Sequence, residues 1–232
     1  MPFPGTLLFL AFLHVLTCDA SGQAQQGIDL PQDETGSVIF IHPDGSGVGM
    51  WTALRLIDVG PDGRTNWDKL DYLGVYRSHQ RNSLSTTSHA GATAHAYGVK
   101  VDRDTFGSVP AKLVTSLSGT PRSIMHEAMA AGKSVAVINS GHLCEPGTAV
   151  FLASAFSRYA MDSISAQIVE SGADLILGGG ERYLLPEGTT GRHGEEGRRK
   201  DGRDMIRRAA ERGYVVVDTR GEVAALLLKA NL

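Results

Sequence analysis

The sequence predicts an α/β fold in which a mostly parallel sheet is sandwiched between helices. Short apolar runs alternate with longer segments of helical periodicity, which is the pattern of strands joined by crossover helices. Most of these runs are nearly continuous, as in strands buried on both faces of a sheet. Gly132 and Gly213 stand just past two helical segments, where C-cap residues are expected. With 232 residues, 42% of them hydrophobic, the chain can bury a core as one domain.

The first 24 residues are similar to an export signal. Leu7–Leu16 is a hydrophobic run too short to span a bilayer, and the small residues after it suit cleavage near Ala24. Cys18 lies in an imperfect lipoprotein box, so lipidation is left open. Residues 25–35 form a polar linker. We therefore expect an exported protein, periplasmic or extracellular, with no stable membrane span.

The remaining segments alternate between the two element types. Predicted strands are 38–42, 74–78, 134–139, 174–177 and 214–218. Predicted helices are 50–59, 123–131, 148–156, 162–170, 204–212 and 222–229. The run 192–208 mixes charges of both signs among glycines, which predicts an exposed loop.

Ser88 stands at the start of a further helix rich in alanine and glycine. The first turn of such a helix offers unpaired backbone N–H groups and the positive end of the macrodipole, so an anion would be held beside the serine hydroxyl. A serine there can act as a nucleophile. On local grounds Ser88 or Thr87 also fits a simple N-cap.

Asp44 follows the first predicted strand, where open α/β sheets place their ligands. Gly45 and Gly47 would allow a substrate or metal to approach the backbone closely. A turn aspartate explains the same residues. The glycine spacing also has a faint similarity to a dinucleotide fingerprint, but the third glycine, Gly49, comes one residue early, so a nicotinamide-binding domain is the weakest alternative.

Together these segments resemble the alkaline phosphatase family. Its first strand ends in Asp-Gly-Met-Gly, and its nucleophile lies in Asp-Ser-Ala-x-x-Ala-Thr-Ala-x-x-x-Gly-Val-Lys; the counterparts are Asp44–Gly47 and Thr87–Lys100. Leu175–Tyr183 matches a further family stretch at the end of a strand. The resemblance implies that residues 36–232 are the amino-terminal part of an alkaline phosphatase-like catalytic domain, incomplete at its C-terminus.

The resemblance also implies roles for five residues. Ser88 would attack phosphorus and also bind metal, Asp44 would bridge two metal ions, and the guanidinium fork of Arg158 suits two oxygens of a bound phosphate. Glu145 and Thr148 would be oxygen ligands of a third cation, which favours magnesium. The implied cofactors are Zn²⁺ and Mg²⁺, and the implied substrate is a small-molecule phosphate monoester.

Local alternatives exist for two of these residues. Glu145 precedes Pro146, so it also fits a carboxylate at a helix N-terminus. Arg158 also fits a solvated cation at a helix end. Cys144, beside Glu145, is expected to be a small buried residue.

Two departures from the family pattern flank the nucleophile. Thr87 stands where many relatives have an aspartate that helps to hold the arginine, and His89 stands where the family usually has alanine. The orientation of Arg158 is therefore left open, and so is the effect of His89.

The predicted function is metal-dependent hydrolysis of phosphate monoesters through a phosphoserine intermediate. Because family members carry further ligands downstream, we expect this chain to be an amino-terminal fragment or truncated product, inactive by itself. The alternatives are a phosphodiesterase or sulfatase of the same superfamily, or a non-catalytic phosphate-binding module. A net charge of −3 argues against a nucleic-acid partner. A homodimer is left open.

Overall fold

The computed structural model describes residues 36–109 and 112–229. The chain divides into two compact units, Met1–Ser78 and His79–Leu232. The predicted export signal, the linker and Cys18 lie outside the described residues. Among the helices of the described ranges, none has the length and apolarity that crossing a membrane requires.

The first unit contains helix α1 (Val48–Asp58) and a short 3-10 helix (Trp67–Lys69). Arg55 of α1 donates two hydrogen bonds to the carboxylate of Asp68, at 2.7 and 2.6 Å. The hydrogen bond from Arg55 is the largest of several contacts that hold the pKa of Asp68 well below its usual range. This ion pair ties the 3-10 helix to α1.

The strands predicted over 38–42 and 74–78 are not formed in the first unit. Val38 is 61% exposed and Ile41 is 67% exposed, so the first of these segments does not supply a buried face. An apolar run becomes a strand only where a neighbour pairs with its backbone. The described residues of this unit form no sheet, and the two predictions are wrong for that reason.

The second unit holds the remaining elements, most of them close to their predicted positions. In chain order they are α2 (Ser88–Tyr97), β1 (Ser108–Val109), β2 (Lys112–Leu113), α3 (Ile124–Ala130), β3 (Ala136–His142), α4 (Pro146–Ala149), α5 (Met161–Glu170), β4 (Leu175–Gly179), a 3-10 helix (Glu181–Tyr183), α6 (Met205–Glu211) and α7 (Arg220–Lys229).

The parallel pair β3 and β4 confirms the α/β class and two of the predicted strands. Ala136 lies opposite Leu175, and the register continues until an irregularity that precedes the pairing of His142 with Gly179. β1 and β2 form a separate antiparallel pair. The strand predicted over 214–218 is not formed, and the helix predicted over 148–156 is reduced to α4 followed by turns.

Only one face of β3 is covered. Val135 and Val137 are buried, whereas Ile138, which points to the opposite face, is 63% exposed. At these positions of β3 the described residues cover one face, and the parallel pair itself agrees with the predicted α/β class.

Small residues allow α2 to pack closely, as its sequence predicts. Ala90, Ala92 and Ala96 are at most 1% exposed. The helix α2 packs against α4 and α3. This packing places α2 close to α4, which follows β3.

The loop predicted over 192–208 is irregular up to α6, but it is not simply exposed. Arg199 is 1% exposed and donates hydrogen bonds to the Ser165 hydroxyl and to the carbonyl oxygens of Asp162 and Tyr183. Its guanidinium also pairs with Asp201. The prediction missed this buried arginine because its partners come from distant parts of the chain.

Candidate active site

The start of α2 is capped by Thr87 and not by Ser88. Thr87 has an extended backbone, and its hydroxyl accepts a hydrogen bond from the backbone N–H of Ala90 at 3.4 Å. Ser88 is the first helical residue and is half-buried. Within the described parts of the chain, the Ser88 hydroxyl has no hydrogen-bond partner. The helix start thus has a separate cap, which leaves the serine hydroxyl available.

The same first turn provides backbone donors for an anion. In the described ranges, the N–H groups of Ser88 and His89 donate no hydrogen bond. Unpaired donors at a helix N-terminus, together with the macrodipole, favour a negatively charged group. These two N–H groups are the donors on which an anion site beside the Ser88 hydroxyl would depend.

His89, which follows Ser88, is buried and faces the core. Its Nε2 lies 3.1 Å from Oδ1 of Asp104. Burial lowers the pKa of His89, the hydrogen bond with Asp104 opposes this change, and the positive charge of Arg158 lowers the pKa further. Arg158 is thus one of two arginines, with Arg103, whose charge acts on His89.

Glu145 joins Arg158 to the end of β3. Its Oε2 lies 3.0 Å from Nη2 of Arg158, and its Oε1 lies 2.9 Å from Nε2 of His142. Glu145 occupies the N-cap position of α4 with Pro146 as the first helical residue, which agrees with its local alternative. Arg158 is paired and 27% exposed, so it is not a freely solvated cation.

Thr148 lies in α4, one turn beyond Glu145. Its Oγ1 accepts a hydrogen bond from Nδ2 of Asn139 at 2.5 Å. The Oδ1 of Asn139 accepts a hydrogen bond from the backbone N–H of Gly141 at 2.7 Å. The sequence did not identify Asn139 or His142 as site residues. Their one signal was a position at, or three residues after, the end of the strand predicted over 134–139.

Glycines at the end of β4 leave space for the side chains of His142 and Tyr183. A Cβ atom at Gly180 would lie 2.5 Å from the Cβ of His142, and the backbone there has φ +91°. The ring of His142 lies 4.9 Å from the ring of Tyr183. The Gly178–Gly180 run therefore allows the chain after β4 to pass close to His142.

Cys144 is buried beside Glu145, as its sequence context predicts. It is 1% exposed, and burial raises the pKa of its thiol to about 12. A thiol with that pKa is protonated at neutral pH and unreactive. We assign it a packing role.

The described residues do not fit a metal centre. None of their His, Cys, Asp and Glu side chains form a group of three or more that could hold a metal ion. The carboxylate oxygens of Glu145 contact Arg158 and His142, and the hydroxyl of Thr148 accepts a hydrogen bond from Asn139. Asp44 lies in an exposed turn. No step of the chemistry is therefore routed through a cation.

The sequence of this chain is similar to those of known proteins. The family model described as Alkaline phosphatase matches residues 36–231. An alkaline phosphatase of Gadus morhua is 27% identical over 215 residues, covering 79% of this chain and 45% of the relative. The repressible alkaline phosphatase of Saccharomyces cerevisiae is 28% identical over 202 residues, covering 82% of this chain and 34% of the relative. The chain thus spans less than half the length of these relatives.

A solved structure agrees on the fold. The alkaline phosphatase of the Antarctic bacterium TAB5 matches with a TM-score of 0.62 and 21% sequence identity, over 76% of this chain and 45% of that one. A mutant of that enzyme is described with Mg bound in the M3 site.

Proposed function

The chain belongs to the alkaline phosphatase family, and we propose that Ser88 is the nucleophile in its hydrolysis of small phosphate monoesters. One observation carries the proposal: the Ser88 hydroxyl is unpaired among the described residues, in a helix turn whose free N–H groups favour an anion.

In the proposed reaction, the oxygen of Ser88 forms a bond to phosphorus and the bond to the departing alcohol breaks, which leaves a phosphoserine. Water then hydrolyses this intermediate. Free N–H groups of Ser88 and His89 would bind phosphate oxygens, and Arg158 would supply a planar pair of donors. The packing of α2 against α4 supports this division of roles, and so does the ion pair of Arg158 with Glu145 at the start of α4.

A serine hydroxyl is a weak nucleophile at its ordinary pKa, so it needs an activation that the described residues do not supply. Zn²⁺ and Mg²⁺ remain proposed cofactors on the strength of family membership. Export, by a signal in the first 24 residues, and homodimer formation remain proposals as well.

The test is covalent labelling. The purified 232-residue chain is incubated with Zn²⁺, Mg²⁺ and a chromogenic phosphate monoester, quenched in acid, digested and analysed by mass spectrometry. Because the chain is expected not to turn over by itself, we expect a single phosphorylation of Ser88 without sustained hydrolysis, and no phosphate on that peptide in Ser88→Ala. Ser85→Ala, which removes an exposed hydroxyl three residues earlier, is the matched control and should retain the label. Equal phosphorylation of that peptide in Ser88→Ala would refute the nucleophile assignment.

A second function from another class is a non-catalytic phosphate-binding module. It is favoured by the same unpaired hydroxyl, because no general base contacts Ser88 within the described residues. Phosphate binding without any phosphoserine would support this alternative.

A further inference from the structure

We propose that Glu145 positions Arg158 to receive a phosphate group, and that it is not the ligand of a third cation. The inference rests on the proposed function, because it takes the start of α2 as the phosphate site. It assigns Glu145 a role that differs from the metal ligand expected from the sequence.

The contacts of Glu145 argue against a bound cation. Its two carboxylate oxygens already face Arg158 at 3.0 Å and His142 at 2.9 Å. A guanidinium keeps its charge at every pH at which proteins are stable, so it repels a second cation at the same carboxylate. The third oxygen donor expected at this site, the hydroxyl of Thr148, is engaged by Asn139.

The same contacts give Arg158 a defined position. Glu145 follows β3 and caps α4, so its backbone is held at both sides, whereas an arginine side chain has several rotatable bonds. In the described residues, Arg158 makes one hydrogen bond, through Nη2. Its other N–H groups are left for the oxygens of a phosphate.

The neighbour of the nucleophile cannot supply this contact. Thr87 has no carboxylate to offer the arginine, and its hydroxyl is the helix cap. Because α4 packs against α2, a carboxylate at the start of α4 can hold Arg158 on the side of α4 that faces α2, and the charge of Arg158 acts on His89 in the first turn of α2. Glu145 therefore replaces a missing carboxylate from a different part of the chain.

The experiment measures phosphate and magnesium separately on the purified 232-residue chain. Inorganic phosphate and MgCl₂ are titrated calorimetrically into wild type, Glu145→Gln and Glu145→Ala. The ¹⁵Nε–¹Hε signal of Arg158, assigned with Arg158→Lys, is followed during the phosphate titration. Glu170→Ala, which breaks an exposed pairing with Arg208 between α5 and α6, is the matched control.

We expect phosphate affinity to fall about tenfold in Glu145→Ala, the size of effect of a lost hydrogen bond to a charged group, and less in Glu145→Gln, which keeps one acceptor. The phosphate-induced shift of the Arg158 signal should shrink with it. Magnesium affinity should not change, and Glu170→Ala should behave as wild type in both titrations.

Loss of magnesium binding in Glu145→Ala with unchanged phosphate binding would overturn the proposal, and so would a wild-type chain that binds no phosphate. The outcome is distinct from that of the labelling test. If phosphate binds in a Glu145-dependent way but no phosphoserine forms, the nucleophile proposal fails and the positioning role stands.

Discussion

The hydroxyl of Thr87 accepts a hydrogen bond from the backbone N–H of Ala90 at 3.4 Å, so Thr87 is the N-cap residue of α2. The sequence alone allows either Thr87 or Ser88 to be that cap. Thr87 stabilises the helix start. Ser88, one residue later, makes no side-chain hydrogen bond within the described residues and is free to act on a ligand. Stability and function at this turn should therefore respond to different substitutions.

Thr87→Ala should lower the free energy of unfolding by about 1 kcal/mol, the typical cost of removing an N-cap side chain. Ser88→Ala should change it by less than about 0.5 kcal/mol, because no hydrogen bond is lost. Urea unfolding followed by circular dichroism measures both. A larger loss of stability in Ser88→Ala than in Thr87→Ala would show that Ser88 is the structural residue.

Gly180→Ala should disturb the site from the end of β4. An alanine at φ +91° is strained by about 1–2 kcal/mol, and its Cβ would lie 2.5 Å from that of His142. Gly188→Ala is the matched control, since Gly188 has φ +81° but open space around it. We expect Gly180→Ala to cost at least about 1 kcal/mol more than the control, as overpacking does. Equal thermal unfolding midpoints would mean that the contact with His142 relaxes freely.

Asp201→Asn should weaken the ion pair with Arg199 that holds the loop between the second 3-10 helix and α6. The substitution removes the charge that pairs with buried Arg199, so the free energy of unfolding at pH 7 should fall by about 2 kcal/mol, as for a hydrogen bond between charged groups. Asp71→Asn, at an exposed position of the first unit, should leave stability unchanged. Urea unfolding at pH 7 makes the comparison.

The same pair predicts a pH dependence. Burial raises the pKa of Asp201, but hydrogen bonds from Arg199 and Arg203 outweigh it and lower the pKa from 3.8 to about 2. Because the folded-state pKa lies below the unfolded value, this stabilisation is complete above about pH 4 and is lost as the pH falls toward 2. Between those values, wild type should lose stability more steeply than Asp201→Asn. Parallel curves would contradict the lowered pKa.

Asp44→Asn tests the predicted metal-bridging role. The substitution keeps the shape of the side chain and removes its charge. A carboxylate that bridged two ions would lose zinc on this change, but because the described residues form no metal centre, we expect the zinc content to stay the same. Elemental analysis of the purified chain gives the metal content. Asp62→Asn is the matched control because Asp62 also precedes a glycine in an exposed turn. Unchanged zinc leaves Asp44 as a turn residue, whereas a loss of zinc in Asp44→Asn but not in the control would support the bridging role.

Several elements could be predicted because short-range contacts define them. Ser123 caps α3 and Asp204 caps α6 through hydrogen bonds to N–H groups three residues away. Gly98 ends α2 in the left-handed conformation that glycine favours. Such contacts lie within one helical turn, so a local pattern of residues contains all their participants.

The paired strands were also predictable, while other apolar runs were not strands. Residues 134–139 and 174–177 pair as β3 and β4. Residues 214–218 have an equally apolar pattern but are irregular. An apolar run indicates that its side chains are suited to burial. Whether it becomes a strand depends on a second strand elsewhere in the chain that can pair with it.

The sequence by itself determined the family resemblance, the class of the fold, the start of α2 and the residue types around Ser88. Only the tertiary structure decided that Glu145 meets Arg158 and His142, and that Arg199 is buried against Ser165, 34 positions earlier. Pairings of this kind depend on how α2, α4 and α5 pack, because side chains distant in sequence meet only after that packing brings their elements together.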